Sequence, residues 1–204
     1  TGGRPLIPDI EGLKDVPYFT SDSIFNLTEQ PRDMLIIGSG PIGCELAQAF
    51  SHLGSKVTQV DMATRIMPRE DEDVSAAVSA RFLEHGIDLL TGHKLLKFET
   101  VDGEHFMEAE HEGSTVRIAF DKVLLAIGRK ANTEDFGLEE IGVALTPQGT
   151  IEVNEYLQTS LPNIFACGDV VGNPLLAHKA SHQAIAVVDF IVEGKAVEHH
   201  PIPG

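Results

Sequence analysis

Residues 34–43 read MLIIGSGPIG, an apolar run followed by glycines in the spacing GxGxxG. Four consecutive apolar residues that end at a glycine are typical of a strand buried on both faces. Apolar residues then recur at helical spacing from Ile42 to Leu53, with Pro41 suited to the first turn and Gly54 to the stop. This stretch therefore predicts a buried strand, a tight turn and a helix in direct succession.

Further strands of the same kind follow along the chain. Residues 56–61 read KVTQVD, a β-branched strand that ends in an acid. We predict an amphipathic helix at about 71–85 and core strands at 87–90 and 123–127. Strands that alternate with helices are typical of a parallel sheet. The predicted fold class is therefore α/β, with a Rossmann-like nucleotide-binding domain.

Residues 94–120 have a different character, because three alternating segments are separated by Asp-Gly and Glu-Gly turns. This pattern predicts an antiparallel β-meander laid against the parallel sheet. The proline-bearing residues 1–30 are predicted to be loop. Residues 151–153 and 163–166 are predicted as short strands, and 177–193 as a long helix.

The composition excludes several classes of partner. The chain has 31 acidic and 15 basic residues and a formal net charge of −16. Binding to nucleic acid or to an anionic membrane surface needs a basic face, so neither partner is expected. No apolar run approaches the ~20 residues of a membrane span. We therefore expect a cytoplasmic protein.

The three glycines of the opening stretch have separate tasks in a dinucleotide-binding turn. Gly38 allows the tight turn, Gly40 lets a pyrophosphate approach the backbone, and Gly43 lets the helix pack on the strand. Together with Pro41 and Ile42 they open a helix whose free N–H groups favour an anion. A glycine turn without a ligand is the alternative, and the flanking strand and helix disfavour it.

Asp61 indicates which dinucleotide is bound. Its carboxylate, at the end of the second strand, can accept hydrogen bonds from the adenosine ribose hydroxyls and would repel a 2′-phosphate. Arg65, which follows closely, is the candidate residue for a 2′-phosphate. We predict NAD rather than NADP, with a plain surface acid at a strand end as the alternative.

A second constellation lies at residues 163–170, which read NIFACGDV. A strand that ends in Gly168 and Asp169 presents a carboxylate to a sugar-like hydroxyl, while the glycine lets a ligand close on the backbone. The helix predicted from Ala177 directs its N-terminal N–H groups at an anionic ring edge. Taken alone, an ordinary strand-turn-helix is the commoner interpretation.

Four motifs occur in order: TGGRP at 1–5, GSGPIGCE at 38–45, AIGRKANT at 126–133 and ACGDV at 166–170. Together they resemble the pyridine nucleotide-disulfide oxidoreductases, an FAD-dependent family. LAHKA at 176–180 resembles its dihydrolipoamide dehydrogenase and mercuric reductase branch. The resemblance implies NAD and FAD as cofactors. It also implies hydride transfer between NAD(H) and FAD, coupled to electron transfer with a disulfide such as lipoamide.

The resemblance implies roles for individual residues. Glu45 matches an acid that lies near the nicotinamide, and it is the candidate catalytic residue. Asp169 matches the acid that binds the flavin ribityl chain, and Ala177 the backbone donor near the pyrimidine end of the flavin. The turn that lines the nicotinamide nucleotide is matched by Ile127, Gly128 and Arg129.

Departures from the family bear on activity. The family's redox pair, two cysteines separated by four residues, is absent, and Cys44 and Cys167 are expected to be inert packing residues. His199 and His200 do not match the catalytic motif of the family's dimer domain. We therefore expect the chain to be inactive by itself and to belong to a longer, homodimeric enzyme.

The resemblance divides the chain into three segments. Residues 1–30 are predicted to be an FAD-domain segment with a linker, 31–157 an NAD-binding domain, and 158–204 a second FAD-domain segment. A mercuric reductase, an NADH oxidase-like flavoprotein and a stand-alone NAD-binding module without redox activity are the alternatives. No metal site is predicted, although His178 and His182 have the i, i+4 spacing that zinc sites use.

Overall fold

A computed structural model describes residues 1–172 and 174–193. Two compact units are present: Pro5–Gly128, the first unit, and Thr1–Arg4 with the chain from Arg129 onward, the second unit. Among the described residues, no helix is both long and apolar enough to cross a membrane. His199 and His200, which the sequence singled out, lie outside the described residues.

The described residues form ten strands and three α-helices. In chain order the strands are β1 (Gly3–Pro5), β2 (Tyr18–Thr20), β3 (Asp33–Ile37), β4 (Lys56–Val60), β5 (Asp88–Leu90), β6 (Lys94–Val101), β7 (Glu104–His111), β8 (Ser114–Phe120), β9 (Lys122–Leu125) and β10 (Arg129–Ala131). The helices are α1 (Pro41–His52), α2 (Glu72–Glu84) and α3 (Ala177–Glu193).

A five-stranded parallel sheet forms the centre of the first unit, in the order β2-β9-β3-β4-β5. β3 lies in the middle, and its side chains alternate between two apolar clusters. Met34 and Ile36 pack on the side of α1 and α2, where Cys44, Ala47 and Phe82 also lie. Leu35 and Ile37 pack on the opposite side, against the meander. Because both faces are covered, the four positions from Met34 to Ile37 are all apolar.

The antiparallel sheet β6-β7-β8 covers the second face. Its inward side chains include Phe98, Met107 and Phe120, each at most 4% exposed. Each hairpin turn has an acid followed by glycine at positive φ, with Asp102 at 52° and Glu112 at 51°. Two consecutive residues with positive φ match the twist of a tight hairpin. The parallel sheet and the meander are therefore confirmed.

Several short elements differ from the sequence-based prediction. The loop prediction for residues 1–30 is wrong at β1 and β2, three-residue strands that pair with β10 and β9. Such strands are held by partners more than 100 residues away, which no local pattern reveals. The strands predicted at 151–153 and 163–166 are also wrong, because Ile151 and Phe165 form only isolated bridges, with Leu145 and Gln158.

The second unit contains the β1–β10 pair, a small apolar cluster and α3. Val143, Ile151, Ala166 and Val170 form the cluster. A 3-10 turn, Gly168–Val171, contains Val170 of this cluster and precedes α3. The boundaries of the two compact units differ from those of the predicted segments 1–30, 31–157 and 158–204. The assignment of these segments to FAD or NAD stays a prediction.

Gly12 provides a test of how the first unit packs. The amide of Phe98 donates to the carbonyl oxygen of Glu11 at 2.8 Å, so the two backbones touch beside Gly12. Gly12 has φ +75°, and a Cβ there would lie 1.9 Å from the oxygen of Phe98. We expect Gly12→Ala to lower the free energy of unfolding by about 3 kcal/mol or more, from backbone strain and overpacking together.

Gly103→Ala is the matched control, because Gly103 has φ +86° but no atom within 4 Å of its Cβ position. Backbone strain alone costs about 1–2 kcal/mol there. Urea unfolding of the two variants measures the difference, and equal losses would contradict the packing described.

Candidate functional site

At the carboxyl end of β3 the strand order of the sheet reverses. β4 lies on one side of β3 and β9 on the other, so the crevice above β3 and β9 is a topological switch point. Gly38 ends the strand with φ +105°, and a Cβ there would lie 2.4 Å from the oxygen of Ala126. A Cβ at Gly43 would lie 2.2 Å from the oxygen of Gly38. Both glycines are therefore required by close backbone contacts.

Gly40 differs from Gly38 and Gly43, because the space at its Cβ position is empty. It is the N-cap of α1, with an ordinary φ of −72°, and no side chain caps the first turn of the helix. A Cβ at Gly40 would meet no atom within 4 Å. An uncapped helix N-terminus beside free space fits a phosphate group, because its N–H groups and the helix dipole both favour negative charge. Pro41 occupies the first helical position, and Ile42 and Gly43 complete the turn.

Asp61 lies directly after β4 and bonds to this loop. Its Oδ2 accepts hydrogen bonds from the amide and the hydroxyl of Ser39, both at 2.6 Å. Its Oδ1 accepts from the amide of Ala63 at 2.8 Å. The carboxylate is half-buried and fixed in orientation, and a carboxylate has about four lone-pair sites, so acceptor capacity remains for a ligand.

Buried polar groups hold the carbonyl oxygens of the loop. Gln59 is 1% exposed, and its Nε2 donates to the oxygen of Gly38 at 3.0 Å. The oxygen of Ser39 accepts from the amide of Met67 at 2.7 Å and from the thiol of Cys44 at 3.3 Å. Burial raises the pKa of that thiol, so it stays protonated at neutral pH.

Sequence reasoning missed Gln59. The sequence signal for Gln59 is its long polar side chain within KVTQVD, since a strand that is buried on both faces normally has an apolar residue at such a position. Such a residue needs a polar partner inside the protein, and the glycine turn is the polar backbone nearest to it.

The other predicted site residues of the first unit are Glu45, Arg65, Ile127 and Gly128. Glu45 is exposed on α1, and Ile127 and Gly128 are exposed just after β9. A Cβ at Gly38 would lie 3.1 Å from the amide nitrogen of Ile127, so this segment borders the glycine turn. Arg65 donates to the carbonyl oxygens of Pro68 and Glu70, at 3.2 and 3.0 Å, so its guanidinium braces its own loop.

In the second unit, α3 holds the Gly-Asp turn at both ends. Gln183 Oε1 accepts from the amide of Gly168 at 2.8 Å, and Lys179 Nζ donates to the oxygen of Gly172 at 2.5 Å. Both side chains are buried, at 3% and 6% exposure. Asp169 is half-buried on the turn between these contacts, and Ala177 is exposed as the first residue of α3.

Gly3 and Arg129 lie near the same turn. A Cβ at Gly3 would lie 3.6 Å from the Cβ and from Oδ2 of Asp169. Arg129 Nη2 donates to the oxygen of Gly3 at 2.5 Å, within the β1–β10 pair. The predicted site residues thus form two groups, one in each unit.

Within the ranges that the structure describes, no three His, Cys, Asp or Glu side chains form a group suited to a metal ion. Cys44 is buried, Cys167 is half-buried, and neither forms a disulfide.

Comparison with known proteins agrees on one family. The model for pyridine nucleotide-disulphide oxidoreductases matches residues 1–184. The chain is 38% identical over 183 residues to a mercuric reductase of Staphylococcus aureus, covering 90% of this chain and 34% of that protein. It is 37% identical over 205 residues to a dihydrolipoyl dehydrogenase of Bacillus subtilis, covering 99% of this chain and 42% of that protein.

Solved structures give the same result. The HOCl-induced flavoprotein disulfide reductase RclA of Escherichia coli superposes with a TM-score of 0.88 at 29% identity, covering 96% of this chain and 44% of that one. The water-forming NADH oxidase of Lactobacillus brevis, bound to NADH, superposes with a TM-score of 0.82 at 26% identity, covering 94% and 45%. The chain thus spans less than half the length of these relatives.

Lys179 provides a test of the second unit. Burial lowers the pKa of its ammonium group below the ordinary value, so the folded chain releases this proton at a lower pH than the unfolded chain. Between the two pKa values the unfolded state binds more protons, and stability rises with pH. We expect the free energy of unfolding of the native chain, relative to Lys179→Met, to rise as the pH increases from neutral toward about 10.4.

Far-ultraviolet circular dichroism during urea unfolding at several pH values measures this difference. Lys14→Met at the surface controls for the loss of one positive charge, since Lys14 is exposed. A flat or falling difference for Lys179→Met would show that its charge is not disfavoured by folding.

Proposed function

Because the chain belongs to the pyridine nucleotide-disulphide oxidoreductase family, we propose that it is the NAD(H)-binding portion of an FAD-dependent enzyme. That enzyme passes electrons between NAD(H), FAD and a disulfide substrate such as lipoamide. The single observation that carries the proposal is the uncapped N-terminus of α1 beside the open Gly40 position.

The glycine turn is the proposed pyrophosphate site. Gly40 leaves room for the phosphates, and the N–H groups of Ile42 and Gly43 point out of the first helical turn. The loop does not have to reorganise on binding, because Gln59 and Met67 already bond to its carbonyl oxygens. A preformed loop reduces the ordering that a ligand must otherwise impose.

Asp61 is the proposed partner of the adenosine ribose. The hydrogen bonds from Ser39 and Ala63 hold the carboxylate beside the loop, and they leave about one of its four lone-pair sites to accept from a ribose hydroxyl. The same charge repels a 2′-phosphate, while Nη2 of Arg65 donates to the carbonyl oxygens of Pro68 and Glu70. These contacts favour NAD over NADP.

Beyond the phosphates, the nicotinamide would lie toward the exposed segment after β9. Ile127 and Gly128 border the glycine turn there, and Gly128 has φ +134° with nothing near its Cβ position. Glu45, exposed on α1, and Arg129, at the start of β10, are the further residues assigned to this end by family resemblance.

Residues of the second unit are the proposed contribution to an FAD site. Asp169 on the Gly168–Val171 turn would accept from the ribityl hydroxyls, and Ala177 would donate from the start of α3. A helix N-terminus stabilises negative charge on a bound ring. When bound, FAD supplies the two-electron acceptor for a hydride of NADH. Segments 1–30 and 158–204 are proposed to belong to this FAD portion, and 31–157 to the NAD portion.

The disulfide step requires a part of the enzyme other than this chain. Its sequence contains only Cys44 and Cys167, far apart, and the thiol of Cys44 is buried with a raised pKa. We propose that the chain alone binds NADH without turnover and that the longer protein works as a cytoplasmic homodimer. Mercuric ion is the second candidate acceptor, favoured by the 38% identity to a mercuric reductase.

Calorimetric titration of the chain with NADH and then NADPH in one buffer tests the proposal. We expect NADH to bind more tightly than NADPH. Asp61→Ala should weaken NADH binding by about tenfold or more and narrow the difference between the nucleotides, because it removes the ribose acceptor and the 2′-phosphate repulsion.

Gly40→Ala is the matched steric variant. Its Cβ meets no protein atom and its φ is ordinary, so its stability should match that of the native chain within about 1 kcal/mol. The methyl group would occupy the space proposed for the pyrophosphate, so NADH binding should be lost. Equal affinity of the native chain for the two nucleotides, or undiminished NADH binding by Gly40→Ala, would refute the site.

A further inference from the structure

Two histidines from different helices meet at the surface of the first unit. His52 is the last residue of α1, and His85 is the C-cap of α2. His52 Nε2 lies 3.1 Å from His85 Nδ1. The hydroxyl of Ser51 also donates to the carbonyl oxygen of His85 at 3.2 Å, which fixes the two helix ends side by side. The pair is therefore set by the fold and not by one flexible loop.

The geometry of the two rings differs from that of a straight hydrogen bond. Their centroids are 4.8 Å apart and their planes are inclined by 55°. If the N–H of one ring and the lone pair of the other lay on one line, the centroids would be about 5.4 Å apart at this N···N distance. The shorter observed separation means that at least one of the two lone-pair directions is inclined to the line that joins the two atoms.

The same two distances fit lone pairs that converge on a common point. A ring nitrogen lies about 1.15 Å from its centroid, so symmetric convergence puts that point about 2.1 Å from each nitrogen, the length of a metal–imidazole bond. The angle at the point is then about 95°, close to the right angle between adjacent ligands of a tetragonal site.

We propose that His52 and His85 form an open bis-imidazole site for a late first-row divalent metal ion, with Cu(II) bound most tightly. Imidazole nitrogen suits copper, nickel and zinc, and affinity for a given ligand set peaks at Cu(II). Water completes the coordination, which makes the ion exchangeable. A net charge of −16 raises the local concentration of cations around the chain.

Both histidines are accessible from solvent. His52 is exposed and His85 is half-buried, so an ion can reach the pair from solvent. The sequence offers no sign of this site, since the two residues are far apart and belong to no metal motif.

A second histidine pair, His93 and His111, has different geometry. His93 and His111 are stacked face to face with centroids 4.2 Å apart, and their Nδ1 atoms lie 2.7 and 3.0 Å from the carbonyl oxygens of Thr91 and Gly92. Those nitrogens act as hydrogen-bond donors.

The His52–His85 site does not depend on the proposed function, because it lies at the opposite end of α1 from the glycine turn.

Titration of the full chain with Cu(II) in a non-coordinating buffer tests the proposal. We expect one tight site, with two nitrogen ligands visible by electron paramagnetic resonance, that weakens as the pH falls because protons compete for imidazole. His52→Ala and His85→Ala should each weaken that site by about a hundredfold, because each removes half of a chelate. The double variant should bind copper more weakly than either single variant, because it retains neither imidazole.

His178→Ala and His182→Ala are the controls, because those residues have the other helical spacing that could bind copper. Both should retain the tight site. Undiminished affinity in either His52→Ala or His85→Ala, or loss only in the α3 controls, would overturn the proposal. As a readout on the unaltered chain, substoichiometric Cu(II) should broaden the imidazole proton signals of His52 and His85 before those of other histidines, and broadening elsewhere first would equally overturn it.

Discussion

The close approach of α1 to the end of β3 is the constraint on which the first unit depends. Gly38 and Gly43 leave no space for a side chain where strand, turn and helix meet. Because the helix begins directly at this contact, its uncapped first turn opens at the carboxyl ends of β3 and β9. Gly40, unlike Gly38 and Gly43, faces free space. The same steric requirement therefore produces both the fold and a place for an anion.

Polar groups hold the turn in that shape. Asp61 bonds to the amide and hydroxyl of Ser39, while Gln59 bonds to the oxygen of Gly38. The carboxylate thus touches the loop proposed for the phosphates and faces the position proposed for the ribose. Changes at Asp61 should affect both ends of the nucleotide, so binding data for this residue report loop order as well as a lost contact.

Local pattern was sufficient for β3, the glycine turn and α1, because the apolar run, the glycines and the helical period are contiguous in sequence. The local pattern is insufficient for features that depend on a partner far away in the sequence. β2 exists because it pairs with β9, and the support of the turn by Gln59 depends on the packing of β4 beside β3. The contact between His52 and His85 likewise requires the two helices to be placed by the sheet.

The most direct test of the account follows the backbone amides of the chain during titration with NADH, by nitrogen–proton correlation spectroscopy. We expect the largest shifts at Gly40, Ile42 and Gly43, with smaller ones at Asp61 and Gly128. The histidines at the far end of α1 should not respond. Shifts concentrated away from the glycine turn would contradict the claim that the first turn of α1 holds the nucleotide.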